Sequence, residues 1–434
     1  MKAALRIAAV FMCPAGLLIA QTSPLTLDDC VRLALKAPSL ITVAQQERRI
    51  ADRGVSAARS SFLPQAQLNN GFTYNSPPRT ASSPAGVSIE PGSTSVGSFV
   101  ALNGVREYQS LATTAWELDI SGRLRAALAR ARADQQIAAA DLAIIERDLK
   151  RAVTGAYYRV LLARRLVAAN RDVLKEAESF ADRTRTMFRS GEVAQADVAK
   201  AESQVAFLTQ AVRVAELDAQ VANSELASFW SADVATELSL ADTLESQPSP
   251  EPEQQVTPFL GRPEFRLFDA QKRGFEADYR HQRSFLFPQL NFNFEYGIDS
   301  NRVAIRDRGQ AAFFSLNIPV FDWFRTRSLA QQFRLRADQI DTRKEISGRE
   351  FSRDYQVALA RVKSVFEQIR LADTQVRTSD DNLRLSRIRY EGGEGPALDV
   401  VAAQTQLAQA RTNYFTALAN YAVARADLEV AAGR

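Results

Sequence analysis

The stretch Phe188-Arg189-Ser190-Gly191-Glu192, leading to Asp197-Val198, recurs as Tyr390-Glu391-Gly392-Gly393-Glu394, leading to Asp399-Val400. The spacing of 202 residues is the same at the glycines and at the aspartates. An internal repeat of this kind decides the fold, because equivalent sequences build equivalent structural units. We therefore expect the 434-residue chain to contain one structural unit built twice.

Long helices are predicted on both sides of each repeated turn. No proline occurs between Arg123 and Arg189, and apolar or small residues recur there at alternating spacings of four and three, which is the pattern of a coiled-coil seam. The seam contains Leu149, Val153, Ala156, Val160, Ala163, Val167, Asn170, Leu174 and Ala177, and it repeats in register from Tyr355 to Val376. Helical hairpins are predicted at about residues 123–230 and 325–431, with arms roughly 100 Å long.

Strand signals precede each helical hairpin. After Pro288 the residues alternate between an apolar face and a polar face, and the return segment alternates in the same way. The apolar positions are Leu290, Phe292, Phe294, Tyr296 and Ile298, then Ala312, Phe314, Leu316, Ile318 and Val320. The first half repeats this pattern more weakly, so strand hairpins are predicted at about residues 64–122 and 288–322. Such alternation is found in soluble sandwich sheets and in transmembrane barrel walls.

Four strands are too few to close a barrel, and an open sheet leaves unpaired edges. The chain is therefore expected to oligomerise. Beyond residue 20, no run of 18 consecutive apolar residues occurs. An exported chain of this kind that crosses a membrane would do so as a β-barrel, because only helices and closed barrels satisfy their backbone groups in lipid.

The N-terminus has the layout of a secretory signal peptide, predicted at residues 1–20. Lys2 and Arg6 precede an apolar run from Ile7 to Ala20, and polar residues follow. The run is shorter than the roughly 20 residues of a membrane-spanning helix, which disfavours the alternative of a transmembrane anchor.

A proline-rich segment separates the two halves. Residues 246–258 contain four prolines, which cannot continue a helix and indicate an extended connector. The first structural repeat is therefore predicted at residues 21–245 and the second at residues 259–434.

Composition excludes several classes of function. The 54 Lys and Arg residues nearly balance the 50 Asp and Glu residues and form no basic block, so nucleic acid is not an expected partner. Two Cys, one His and three Met residues supply neither a disulfide framework nor a metal cluster, and no cofactor is predicted. His281, the single imidazole, is expected to be a solvated side chain. The acidic residues are scattered along helix faces, so no enzyme active site is predicted.

Short motifs accompany the repeat. They are the stretch Trp116-Glu117-Leu118-Asp119-Ile120-Ser121-Gly122-Arg123, the stretch Pro319-Val320-Phe321-Asp322 and the two turns that run from Gly to Asp-Val. With the duplicated hairpins, they make the chain resemble the TolC-like outer membrane efflux proteins over essentially all of its mature length. The resemblance implies a mainly α fold with a β-barrel part. Three chains would give four strands each to a 12-stranded outer membrane barrel, continued by an α-helical tunnel across the periplasm.

The resemblance also implies a function without catalysis. The homotrimer would be the passive exit duct of a tripartite efflux or type I secretion system. It would contact outer membrane lipid and would be coupled through a periplasmic adaptor, or membrane fusion protein, to an inner-membrane pump. The alternative is a soluble periplasmic coiled-coil adaptor or scaffold, which would also be secreted and rich in helical hairpins. The duplicated strand hairpins argue against that alternative.

The candidate site residues lie at the two helical turns. The resemblance implies that these turns form the periplasmic tip, where an adaptor docks and the tunnel narrows. It makes Asp197, Tyr390 and Asp399 the gate candidates. The candidates for adaptor docking are Gly191, Val193, Ala194, Gly393 and Gly395.

Two observations qualify these site assignments. Asp197 opens a helix, so a role in stabilising the helix N-terminus is an equal alternative to a gate role. Gly395 stands where well-known family members have an arginine partner, and Ala402 stands where they can carry a second acidic residue. A salt-bridge latch is therefore not expected here.

Overall fold

The computed structural model describes residues 24–74, 106–245, 258–300 and 303–434. The predicted signal peptide, the long loop of the first strand hairpin and nearly all of the predicted connector lie outside these residues. No helix in the described ranges is both long and apolar enough to cross a bilayer.

The described residues form seven α-helices and four strands. In chain order they are α1 (Leu27–Lys36), α2 (Leu40–Ser60), β1 (Gln65–Tyr74), β2 (Arg106–Leu118), α3 (Arg123–Arg189), α4 (Gln195–Ala227), α5 (Pro263–Ser284), β3 (Gln289–Ser300), β4 (Arg308–Asn317), α6 (Arg325–Glu391) and α7 (Ala397–Ala431). Short 3-10 helices occupy Pro258–Gly261 and Ile305–Asp307.

The elements repeat along the chain. Helices α3 and α6 are each 67 residues long, and α6 begins 202 positions after α3. Helices α4 and α7 begin with the same separation. The predicted fold class, mainly helical with a strand hairpin and a long helical hairpin in each half, is confirmed.

The four strands form one antiparallel sheet in the order β1-β2-β3-β4. The register aligns the apolar positions that alternation predicts, since Trp116 lies opposite Phe292 and Phe292 lies opposite Phe314. The rings of Phe292 and Phe314 are 4.8 Å apart between centroids, and those of Phe72 and Tyr108 are 4.9 Å apart. Aromatic cross-strand pairs of this kind fix the register and gather the apolar side chains on one face of the sheet.

The chain divides into two compact units. The strand unit contains α2, the sheet, α5, and the parts of α3 and α6 up to Asp148 and Leu359. The hairpin unit contains α1, α3 from Leu149, α4, α6 from Ala360, and α7 up to Asp427.

The core of the hairpin unit follows the predicted seam only in part. Val153, Val160 and Ala163 are buried as predicted, but Leu174 is half-buried and its neighbour Val173 is buried instead. A straight helix has 3.6 residues per turn, so a strict seven-residue pattern drifts around its surface. The set of buried positions therefore shifts by one residue along α3, from the predicted Leu174 to Val173.

In the strand unit, His281 is not the solvated side chain that the sequence predicts. It is half-buried, and its ring packs edge-on against Phe285 with 5.3 Å between centroids. Burial, and secondarily the nearby Arg123 guanidinium, lower the pKa of His281. The sequence prediction failed because it weighed only the polar residues directly beside His281 and not Phe285, one helical turn further along the chain.

Candidate functional site at the two helical turns

The two helical turns share one backbone geometry. The amide of Gly191 donates to the carbonyl of Phe188 at 3.0 Å, and the amide of Gly393 donates to the carbonyl of Tyr390 at 3.0 Å. The next amide in each turn donates to the carbonyl one residue before that acceptor. Glu192 donates to Met187 and Glu394 donates to Arg389, both at 2.9 Å. These bonds satisfy the last carbonyls of α3 and α6, as in common helix C-terminal motifs.

Glycine is required once in each turn. Gly191 has φ +82° and Gly393 has φ +74°, in the left-handed region that side chains disfavour. No atom lies within 4 Å of the position that a Cβ would occupy at either glycine. Glycine is therefore required for its backbone conformation and not for lack of space, and the surface beside each glycine is open.

Asp197 and Asp399 occupy the same position of their helices. Each is the third residue of its helix, and its amide donates to the carbonyl three positions before it, at 3.0 Å from Ala194 and 3.1 Å from Pro396. Neither residue is the N-cap, because Ala194 and Pro396 precede the helices. A carboxylate in the first turn is nevertheless stabilised by the helix dipole.

The surroundings of the two aspartates differ. The carboxylate of Asp197 lies 3.5 Å from the ammonium of Lys200, one turn further along α4. Among the ion pairs of the described residues, none includes Asp399. Asp399 therefore carries the less compensated charge of the two.

Tyr390 lies in the core of the hairpin unit, to which all four long helical arms contribute. It is buried in a cluster with Phe180 and Ala181 from α3, Ala201 from α4, Leu383 from α6, and Ala397, Val400, Ala403 and Leu407 from α7. Its hydroxyl has no hydrogen-bond partner among the described residues. Burial raises the pKa of Tyr390, the nearby Thr184 side chain opposes this effect, and the Asp197 carboxylate adds to it.

The docking candidates fall into two groups. Val193 is half-buried and packs against the Tyr390 cluster, so it contributes to the core. Ala194, Gly191 and Gly393 are exposed, and Gly395 is half-buried beside Arg389. Ala194 therefore lies on the exposed surface near the first turn, whereas Val193 contributes to the core.

Ion pairs near the turns join the two repeats, and the sequence pattern did not reveal them. Arg183 on α3 pairs with Glu391 at the end of α6, and Arg387 on α6 pairs with Glu176 on α3. The partners are more than 200 residues apart in the chain, so no local spacing could have revealed them. The site thus combines a buried aromatic residue with ion pairs that join the first repeat to the second.

The arrangement offers apolar surface and fixed charge at the two turns. Among the described residues, no group of three or more His, Cys, Asp or Glu side chains is placed to hold a metal ion. Asp197 and Asp399 lie one repeat apart in the chain. Their chemistry is that of fixed negative charge at the start of a helix.

Comparison with known proteins identifies the family. The profile of the family described as outer membrane efflux protein matches residues 31–231 and 260–434. The chain belongs to this family. Membership confirms the predicted resemblance and the outer membrane location, with the helical part in the periplasm. It also favours a channel over the soluble periplasmic scaffold.

Solved structures of outer membrane channels have the same fold as this efflux-family chain. The Campylobacter jejuni CmeC outer membrane channel superposes with a TM-score of 0.81 at 16% identity, over 94% of this chain and 85% of that one. The open state of the Neisseria gonorrhoeae MtrE outer membrane channel gives 0.78 at 20% identity, over 94% and 88%. The Vibrio cholerae outer membrane protein VceC gives 0.78 at 15% identity, over 94% and 96%. No curated protein sequence matches this chain.

Proposed function

We propose that three copies of this chain form the outer membrane channel of a tripartite efflux or type I secretion system. Each copy contributes four strands to a 12-stranded barrel and its long helices to a periplasmic tunnel. The trimer is a passive exit duct that narrows at the two helical turns. A periplasmic adaptor couples it to an inner-membrane pump.

The observation that supports the proposed assembly is an exposed apolar stripe on α4. Phe207, Val214 and Val221 are 57%, 53% and 49% exposed, and they follow each other at intervals of seven residues. On α6, Leu371 and Leu385 are also exposed and lie two such intervals apart. Heptad spacing is typical of helices that pack against a partner helix, and isolated surface apolar residues lack it.

The position of these stripes favours a closed ring of copies. One stripe lies on a helix of the first repeat and the other on a helix of the second, so a contact between them would join two different surfaces. Such a contact repeats around an axis and gives a closed ring where the rotation returns to the first copy. Within the described residues, β1 and β4 each pair on one side only, and unpaired edges also call for a neighbouring chain.

A charge placed in the α4 stripe tests the assembly. We expect the wild-type protein to be a trimer in mild detergent and Val214→Glu to reduce the trimer strongly, because the substitution buries an unpaired carboxylate. Thr209→Glu is the matched control, because Thr209 is exposed on the same helix but outside the stripe. The measurement is molar mass by light scattering after gel filtration. A wild-type monomer, or a Val214→Glu trimer as abundant as the control, would contradict the proposal.

Ala194→Glu tests docking of the adaptor at the first turn. Ala194 is exposed and makes no side-chain hydrogen bond at the helix start, so the substitution adds bulk and charge without removing an interaction. We expect normal amounts of trimer in the outer membrane and loss of efflux in cells that carry the cognate pump. Thr209→Glu again serves as the control, since it adds the same charge away from the turn. Undiminished efflux by Ala194→Glu would remove this turn from the docking surface.

A further inference from the structure

One side of α6 carries three arginines with no acidic residue among them. Arg325, Arg336 and Arg343 follow each other at intervals of 11 and 7 residues, which are close to three and two whole turns of an α-helix. They therefore lie on one side of α6, over a length of about 27 Å. Asp338 and Asp341, the acids between them in the chain, lie on other sides of the helix. We refer to Arg325, Arg336 and Arg343 as the arginine ladder.

The guanidinium groups of the arginine ladder are exposed and uncompensated. The ion pairs among the described residues include none of them. The cation that follows the last arginine differs, since the ammonium of Lys344 lies 2.5 Å from the carboxylate of Asp269 on α5. This cation of α6 faces another helix of the chain and is paired, whereas the ladder has no carboxylate partner in the part of the chain that the structure describes.

The first repeat shows that the fold does not need the ladder. Arg123, Asp134 and Asp141 stand 202 positions before the three arginines. Arg123 is paired with Glu117, and Pro319 takes the place of that glutamate in the second repeat. The second repeat therefore replaces two acids by arginines and lacks the carboxylate that compensates the third. Positive charge is thus concentrated on one side of α6 and not on the equivalent side of α3.

The neighbours of α6 leave the ladder on one of two remaining sides. Helix α5 packs against one side of α6, where Asp341 lies 2.7 Å from Lys272. The opposite side presents Leu335 and Ile346, which are 57% and 43% exposed and suit the contact with a neighbouring copy. In a ring of helices, one of the two sides between these contacts faces the axis and the other faces the periplasm. The arginine ladder lies on one of them.

Burial distinguishes these two sides. In the proposed ring, positions 202 residues apart face the same side, because the repeats succeed each other around one axis. On α3, the positions that match the ladder are half-buried, whereas Arg125 and Arg132 on the opposite side are exposed. Side chains on the inner side of a curved layer of helices crowd together, and those on the outer side spread apart. This difference favours the axis side for the ladder.

We propose that the arginine ladder lines the duct below the barrel and gives it a preference for anionic cargo. This inference rests on the proposed trimeric duct, in which three ladders surround the axis. A wall of one charge sign raises the local concentration of the opposite ion. Guanidinium groups also bind carboxylate and phosphate oxygens in pairs. The cargo class is therefore organic anions that carry carboxylate, phosphate or sulfonate groups.

Acids at the same level of α3 offset the ladder only in part. Asp134 pairs with Arg130 at 2.9 Å, so its charge is compensated. Asp141 is in no ion pair among the described residues. Each copy thus sets one unpaired carboxylate against the three unpaired guanidinium groups, and the net charge of this part of the wall stays positive.

The ion selectivity of the channel tests the ladder. The purified trimer is inserted into planar bilayers, and the ratio of chloride to potassium permeability is obtained from the reversal potential in a KCl gradient. The salt concentration is about 0.01 M, since charges then act over about 30 Å. We expect Arg336→Gln/Arg343→Gln to lower the ratio about twofold or more, because two positive charges leave the wall of the duct.

The matched control is Arg327→Gln/Arg334→Gln. Arg327 and Arg334 are exposed on the opposite side of α6 and belong to no ion pair of the described residues, so the control removes the same charge from the same helix. We expect wild-type selectivity from the control. An unchanged ratio in Arg336→Gln/Arg343→Gln, or a fall in the control that is as large, would overturn the position of the ladder in the duct.

The release of cargo-sized ions provides a second readout. Liposomes that contain the trimer are loaded with the sulfonated dye pyranine and the dication propidium. We expect Arg336→Gln/Arg343→Gln to release pyranine more slowly than the wild type does, relative to propidium. An equal ratio of the two release rates in both proteins would overturn the preference for anionic cargo.

Failure of the duct itself gives a different result. A wild-type protein that is monomeric by light scattering and forms no channels would contradict the proposed function, and with it the role of the ladder. A conducting trimer whose selectivity does not depend on Arg336 and Arg343 would overturn the ladder alone.

Discussion

The ring of Tyr390 on α6 packs edge-on against the ring of Phe180 on α3, with 5.1 Å between centroids and 61° between the ring planes. The contact joins the second repeat to the first just before both helical turns. A pair of buried rings in this geometry stabilises by about 0.5–1.5 kcal/mol beyond the area that it buries. The position of Tyr390 suggests that it acts through packing, since its hydroxyl has no partner among the described residues.

Substitutions at Tyr390 distinguish a role of its ring in packing from a role of its hydroxyl in latching the gate. We expect Tyr390→Phe to leave single-channel conductance and thermal stability unchanged or slightly improved, because it removes only a buried hydroxyl with no partner. We expect Tyr390→Ala to destabilise the protein by about 3 kcal/mol, because it leaves a cavity in the cluster. Bilayer recordings and thermal unfolding in detergent measure the two effects. A raised conductance in Tyr390→Phe would instead assign the hydroxyl to the gate.

Gln404 is a second buried polar group near the turns. Its side chain is fully buried, and neither of its amide atoms has a hydrogen-bond partner among the described residues. Gln404→Leu should therefore stabilise the protein by about 1–3 kcal/mol, because it removes an unsatisfied buried amide and keeps much of the volume. The readout is the thermal midpoint in detergent. Gln406→Leu is the control, because Gln406 is exposed, and a midpoint shift no larger than that of the control would contradict the expectation.

The parts of the fold that local sequence determines could be predicted. The turn glycines and the strand alternation act through neighbouring residues, so the repeat identifies both turns and both strand hairpins. The contact of Phe180 with Tyr390 and the pairing of Arg183 with Glu391 join residues more than 200 positions apart, and no spacing encodes them. The left-handed conformation of Phe324 was also beyond prediction, because glycine is the residue expected there.

Alanine substitutions at the turns test the need for positive φ. Gly191→Ala and Gly393→Ala should each destabilise by about 1–2 kcal/mol, since a Cβ is disfavoured in the left-handed region even where space is open. Gly392→Ala is the matched control. Gly392 is not in that region, and its nearest neighbour would be the carbonyl oxygen of Ile388 at 3.4 Å from a Cβ. If Gly392→Ala loses as much thermal stability as the other two variants, the requirement for positive φ at Gly191 and Gly393 is contradicted.

The half-buried His281 predicts a dependence of stability on pH. Its pKa is lowered in the folded protein, so folding favours the neutral imidazole. The unfolded chain then binds more protons, and the contribution of His281 is present above about pH 6.5 and is lost as the pH falls below it. Thermal midpoints measured between neutral and mildly acidic pH should fall less steeply for His281→Gln than for the wild type. Parallel curves for the two proteins would exclude this role.

Asp399 is the gate candidate with the less compensated charge. If three copies bring Asp399 to the axis of the duct, the carboxylates should attract divalent cations, because like charges confined in a narrow space repel one another and favour a counter-ion. Asp399→Asn should therefore weaken the block of single-channel current by divalent cations. The measurement is a titration of the current in planar bilayers with a divalent salt at constant ionic strength.

Asp197→Asn provides the matched control, because both aspartates occupy the third position of a helix but Asp197 already lies 3.5 Å from Lys200. Its charge is partly compensated, so its removal should change the block less than the removal of Asp399. If Asp399 only stabilises the N-terminus of α7, Asp399→Asn should leave the block unchanged. It should then lower stability by about 0.3–1 kcal/mol, which is the size of a helix-dipole interaction. Block and thermal stability measured on the same two variants therefore distinguish a gate from a helix-terminal charge.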